Sequence, residues 1–257
     1  MDLLIDYMPG FLLTVVRVTA MLMAALFLGT DGTSRPARLI LGLGLGVAIF
    51  LRHPTQVDVG PDMFAFAIVV ARELVLGLAL GFGILLAFMV LRTAGAVLSS
   101  EMGFALSQVM DPTTGISSPV MGRFFESMSM LYLLAVDGHH RILTILARSF
   151  DRIPVGETWD VNAMREGLTY LTAASLELAI QLASPIYATI ILTTMTLIVL
   201  ARIVPQVHLM DFAFALRILL SLLIMSWFFS TDAFQYLSEN FDKFFIGVDR
   251  MLGHMAR

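Results

Sequence analysis

Four stretches of this chain, Met8 to Gly29, Met63 to Leu91, Gly167 to Leu200 and Phe212 to Phe229, reach the length of about 17 to 25 mainly apolar residues that crosses a bilayer as helix. Two weaker runs, Leu39 to Leu51 and Pro119 to Val136, lie between them. Backbone amides in hydrocarbon have no water to bond with, so such runs either bond internally as helices or close into a barrel. Barrel strands alternate apolar and polar residues over about ten positions, and these runs do not. The sequence therefore predicts an all-α membrane protein with roughly six hydrophobic helical segments arranged as hairpins. Composition agrees: with 58% hydrophobic and 14% charged residues and a mean hydropathy of +0.86, the chain has more apolar surface than a soluble domain of its size buries. Membrane lipid or other proteins must cover it.

The segments are nevertheless poor lipid-facing helices. Arg17 lies in the first, Arg72 and Glu73 in the third, Arg123 and Glu126 in the fourth, Glu177 in the fifth and Arg217 in the sixth. A charge near mid-bilayer costs about 2.5–3.5 kcal/mol on insertion scales unless it meets a partner or water. Charges in five segments imply protein-facing sides. The lengths are also uneven: Leu39 to Leu51 gives about 20 Å of helix, short of a core of about 30 Å. Gly167 to Leu200 is much longer and contains Pro185, whose missing amide favours a kink or a hairpin turn. Gly42 and Gly46, and then Gly77 and Gly81, stand one turn apart, a spacing that lets two helix backbones approach closely.

Breaks between segments fall at Gly29 to Arg38, Arg52 to Asp62, Arg92 to Ser118, Asp137 to Glu166 and Arg202 to Asp211, where glycine, proline and charge cluster. The opening residues Met1 to Tyr7 carry two acids and no base, unlike the positive start of a cleavable signal, so the first hydrophobic segment is expected to stay in the mature protein. A formal charge of −4 leaves no basic stripe for phosphate contacts, which argues against nucleic acid as a partner.

The sequence carries no recognisable catalytic constellation. Cysteine is absent, which removes thiolate nucleophiles and cysteine metal sites. His-Glu-x-x-His, Gly-x-Ser-x-Gly, a P-loop and paired intramembrane aspartates are also missing. His139 and His140 are adjacent, but helix neighbours point about 100° apart, poor geometry for one ion. No metal, cofactor or enzymatic activity is expected.

Arg92 to Glu126 reads RTAGAVLSSEMGFALSQVMDPTTGISSPVMGRFFE. Asp111 and Pro112 followed by Thr113, Thr114 and Gly115 form a turn signal, since proline presets one dihedral and aspartate bonds the local backbone. Two readings stand side by side. The loop is either a solvated connection or a re-entrant segment closing a conduit, with apolar Val109 and Met110 at its apex. The 17 methionines fit either flexible gap-filling in a bundle or a gasket around varied passengers. A secondary transporter or ion channel with Arg72, Glu73, Glu177 and Arg217 along its pathway is the other class such residues allow.

At these residues the chain resembles the FliR family of flagellar export proteins, called SctT in virulence type III secretion. The resemblance runs through Arg17-Val18, Arg35-Pro36-Ala37-Arg38 with Leu41-Gly42-Leu43-Gly44, and Arg72-Glu73 with Gly77 and Gly81-Phe82. It continues through Arg92-Thr93-Ala94-Gly95, Met102-Gly103 to Asp111-Pro112, Gly138-His139, Pro154-Val155-Gly156, Ala183-Ser184-Pro185, and Arg202 with Pro205-Gln206. Single motifs are weak; together, in order over nearly the whole chain, they are specific. Glu101 and His208 depart from the family's usual residues there.

The resemblance implies a structural and gating subunit of the type III export gate, a conduit for unfolded flagellar rod, hook and filament proteins across the inner membrane. It implies partners FliP and FliQ in a cone-shaped hetero-oligomer protruding toward the periplasm, with FlhB wrapped around it. It also implies a chain like one FliP joined to one FliQ, residues 1–166 and 167–257 respectively. The family's plug loop would map onto Ser107, Gln108, Val109, Met110, Asp111, Pro112, Thr113, Thr114, Gly115, Ile116, Ser117 and Ser118.

Overall fold

The structure, a computed structural model, describes residues 2–26, 35–57, 63–102, 120–203, 209–231 and 233–256. Among the described residues all regular secondary structure is helical. The elements are α1 (Asp2–Leu26), α2 (Arg35–Arg52), α3 (Met63–Glu101), α4 (Val120–Ala135), α5 (Gly138–Arg152), α6 (Val161–Ile203), α7 (Leu209–Thr231) and α8 (Ala233–Met255). The six apolar runs fall on α1, α2, α3, α4, α6 and α7. Three helices among the described residues are long and apolar enough to cross a membrane: Tyr7–Ala25, Met63–Glu101 and Val161–Ile203.

Two helices were not anticipated. The stretch read as a break from Asp137 to Glu166 contains α5, and the C-terminal tail is α8. Both are amphipathic, so a search for continuous apolar runs passes over them. In α5 the buried residues are Gly138, Ile145, Leu146, Ser149 and Phe150; in α8 they include Phe241, Phe244, Val248, Met251, Leu252 and Met255. That is one helical face in each case.

Two further boundaries differ from the expectation. α3 continues past Arg92 to Glu101, and α6 runs through Pro185 without a hairpin turn. Proline at 185 lacks the amide that would bond the Gln181 carbonyl. Ser184 Oγ donates to Gln181 O instead, at 2.8 Å, and the ladder resumes beyond it.

The chain forms two packed units. The first comprises Met1–Ala87, Asp137–Ala173 and Lys243–Arg257, the second Phe88–Val136 and Ala174–Asp242. In the first unit α1 is clasped between α2 and α3. A Cβ on Gly42 would lie 2.9 Å from Thr19 Oγ1, and one on Gly46 2.9 Å from Val15 Cγ2. On the other side, a Cβ on Gly77 would meet the Arg17 carbonyl and lie 2.8 Å from Ala20 Cβ, and one on Gly81 would lie 2.6 Å from Ala24 Cβ. Without side chains at these four positions the backbones come close enough for broad dispersion contact. Tyr7 and Phe11 add edge-on contacts to Phe50, with ring centroids 6.4 and 5.4 Å apart. Leu13, Met21, Leu76, Leu80, Leu146 and Leu252 fill the core.

The start of α6 is fixed by Asp160. Its Oδ1 accepts the Asn162 amide at 2.8 Å, as an N-cap does, and its own amide donates to the Met255 carbonyl at 3.2 Å. In the second unit, Leu91, Leu98, Met102, Phe125, Ile186 and Ile190 are the buried apolar residues, with the Tyr132 and Phe241 rings 5.1 Å apart. Large exposed apolar residues remain on α6, including Ile180, Leu192, Met195, Ile198, Val199 and Ile203. A surface of this kind needs lipid or protein over it.

Candidate functional site

The arginine that looked out of place in the first helix is completely buried. Arg17 has 0% side-chain exposure, and Glu73 of α3, its ion-pair partner, has 3%. Arg17 Nε donates to Glu73 Oε2 at 2.5 Å and Nη2 to Oε1 at 3.0 Å, the bidentate fork that suits a guanidinium and a carboxylate. Its Nη1 donates to the carbonyls of Ser149 at 3.2 Å and Ile153 at 2.8 Å. These oxygens stand at the C-terminal end of α5, where the helix dipole favours a cation. The Phe150 ring lies 4.4 Å from the guanidinium carbon, close enough for a cation–π contact.

Glu73 is also held from a second side. The Gly156 amide donates to Glu73 Oε1 at 2.9 Å, and Gly156 has φ 87, a conformation that an L side chain disfavours. Thus α1, α3, α5 and the 153–156 turn meet at one polar clasp. Each charged atom has donors or acceptors, which is what makes a buried ion pair tolerable.

A second, more exposed pairing ties α5 to α8. Arg152 Nη2 donates to Asp249 Oδ2 at 2.9 Å, Arg152 Nη1 to the Asp249 carbonyl, and Arg148 Nη1 stands 3.6 Å from Asp249 Oδ1.

The other charges named from the sequence are not drawn into the clasp. Arg72, one residue before Glu73, is exposed on α3. Arg123 is exposed and Glu126 half-buried on α4. Glu177 is exposed on α6 and accepts from Gln181 Nε2 at 3.1 Å. Arg217 is half-buried on α7, with Nη1 3.4 Å from the Glu101 carbonyl. The loop from Ser107 to Ser118 lies outside the described residues.

Sequence reasoning did not pick out Gly156, Phe150, Arg152 or Asp249 as a set. A signal for Gly156 was present, since proline, valine and glycine at 154–156 follow a helix end, where glycine commonly adopts positive φ. Asp137, His139 and His140 each place one donor atom within 4.8 Å of the others, at the exposed start of α5. Among the described residues, this is the group of donor atoms close enough together to hold a metal ion.

Apolar helices of this length, held together by close-packed glycines and an internal ion pair, define a helical membrane protein. Residues 8–243 match the family described as bacterial export proteins, family 1, and the chain belongs to that family. It is therefore a structural component of a bacterial export apparatus and not an enzyme. Similar proteins include the flagellar biosynthetic protein FliR of Bacillus subtilis, 29% identical over 234 residues covering 88% of each chain. FliR of Escherichia coli is 27% identical over 82% of this chain and 81% of its own. The surface presentation of antigens protein SpaR of Shigella flexneri is 27% identical over 78% of this chain and 76% of its own.

Proposed function

We propose that this chain is the FliR-type subunit of a flagellar type III export gate in the bacterial inner membrane. In that reading it assembles with FliP and FliQ, residues 1–166 standing for one FliP and 167–257 for one FliQ, with FlhB around the assembly. The gate conducts unfolded rod, hook and filament proteins, and the 107–118 loop closes the conduit at rest. The observation that carries the reading is the family match over residues 8–243, supported by exposed apolar helix faces that need protein neighbours. The protrusion toward the periplasm and the seat in the basal body belong to the same proposal.

Purification from native membranes tests it. FliP-like and FliQ-like subunits should accompany the chain in one stable complex; a lone chain active in solute transport would refute the proposal. Deleting Thr113 to Ser117 should make the assembled gate leak ions while export continues, and unchanged conductance would count against a closing role. The likeness to SpaR favours a second reading, an injectisome subunit of the SctT type. Removing the gene should abolish filaments and swimming under the first reading; intact motility with loss of another secreted set would favour the second.

A further inference from the structure

The turn that opens α5 gathers three metal-ligating side chains. Adjacent residues of a regular helix point about 100° apart, yet one donor atom from each of Asp137, His139 and His140 lies within 4.8 Å of the other two. The backbone helps to bring them together. Asp137 stands at the N-cap of α5 in a left-handed conformation, φ 53 and ψ 31. Its carbonyl accepts the His140 amide at 2.9 Å and the Arg141 amide at 3.3 Å. A capping aspartate ordinarily uses its carboxylate for such amides; here the carboxylate makes no capping bond. The two imidazoles meet edge to face, with ring centroids 4.5 Å apart. His139 is half-buried, and its Nδ1 is buried without a hydrogen-bond partner, a state in which polar atoms of folded proteins are seldom left.

Two imidazoles and a carboxylate suit a borderline divalent ion of the zinc class, whereas Mg²⁺ and Ca²⁺ take shells of oxygen. Bonds of about 2.0–2.2 Å set neighbouring ligand atoms of a tetrahedral zinc about 3.4 Å apart. The three side chains therefore need to close by on the order of 1 Å, a distance that small rotations cover. The positive end of the α5 dipole opposes a cation, but that field is weak at an exposed terminus and screened by salt, and the Asp137 carboxylate offsets it. The neighbouring Arg141 guanidinium stands over the Phe245 ring of α8, 5.9 Å from its centroid.

We propose that Asp137, His139 and His140 bind one divalent ion of the zinc class, with water in the remaining positions, and that the ion pins the turn that opens α5.

The full chain, purified in detergent through a tag without histidine and stripped with chelator, is titrated with Zn²⁺ by calorimetry. One ion per chain should bind with a Kd of about 10 µM or tighter; weaker binding, or none, means an adventitious ion only and overturns the proposal. At about 100 times the Kd, Zn²⁺ should raise the melting temperature by about 5–10 °C. A melting temperature unmoved at saturation means that the ion does not favour the folded turn, which also overturns it. Asp137→Asn keeps a residue that tolerates the left-handed backbone, and His140→Gln keeps a polar side chain. Each should weaken binding at least about tenfold, since even outer-shell partners of a metal are worth about 10–100-fold. His53→Gln and His254→Gln, at the other described histidines, should bind as the wild type does. Wild-type affinity in the Asp137 and His140 variants, or equal weakening by the His53 and His254 variants, refutes the site. X-ray absorption at the zinc edge of the wild-type chain does not depend on how any variant folds: two imidazoles in the shell support the proposal, and fewer overturn it.

Discussion

Replacing Arg17 by methionine keeps the volume and removes the charge, so it isolates what the buried pair does. Arg17 makes four hydrogen bonds, two to Glu73 and one each to Ser149 and Ile153. Its loss leaves a carboxylate with 3% exposure and the Gly156 amide as its remaining donor among the described residues. Breaking a buried pair from one side costs about 3–5 kcal/mol. At about 2–4 °C per kcal/mol for a chain of this size, melting should fall by roughly 6–20 °C. Glu73→Leu should behave similarly, since it strands the guanidinium. The double variant Arg17→Met/Glu73→Leu should lose less than the sum of the two single losses, about 2–4 kcal/mol, because no lone charge remains and the orphans are two neutral groups, the Ile153 carbonyl and the Gly156 amide. Thermal unfolding in detergent, followed through Trp159 beside the 153–156 turn, reads all three. Additive losses in the double variant would show that the pair is not coupled and would refute the argument.

Gly77→Ala should destabilise by about 1–3 kcal/mol through overpacking, because its Cβ would meet the Arg17 carbonyl and Ala20. Gly44→Ala, where an added Cβ meets nothing within 4 Å, should be neutral or up to about 1 kcal/mol stabilising; equal melting shifts for the two would contradict the close approach of α1 and α3. Asp249→Asn removes a pair whose side chains are 33% and 26% exposed. The loss should be about 1 kcal/mol or less and should shrink in high salt, while the Arg17→Met loss should not; a salt-independent loss would place the Asp249 pair in a drier setting than its exposure implies.

The apolar helices were legible because hydropathy and length act locally: a run without water partners for its amides becomes helix wherever it sits. α5 and α8 were not, since their buried faces alternate with charge and only the packed neighbours reveal them. Of the two outcomes that Pro185 allows, the hairpin turn is excluded because the helix continues through it, with Ser184 supplying the donor that the proline lacks. The charges divide in the same way. That Arg17 needed a partner followed from its setting, but the choice of Glu73, and the supporting carbonyls of α5, depend on contacts 56 to 136 residues apart in sequence, which no single-chain pattern encodes.

Arg72 and Glu73 show how much helical geometry decides. One residue of displacement rotates a side chain by about 100°, which sends Glu73 into the clasp and Arg72 to the outer surface. The sequence rule that a charge in an apolar helix requires a protein partner is met for Glu73 inside the chain. The consequence is separable by experiment. A change at Glu73 should lower the stability of the chain, whereas a change at Arg72 should leave that stability intact. Neighbouring substitutions that instead lowered stability equally would mean that both charges serve the fold.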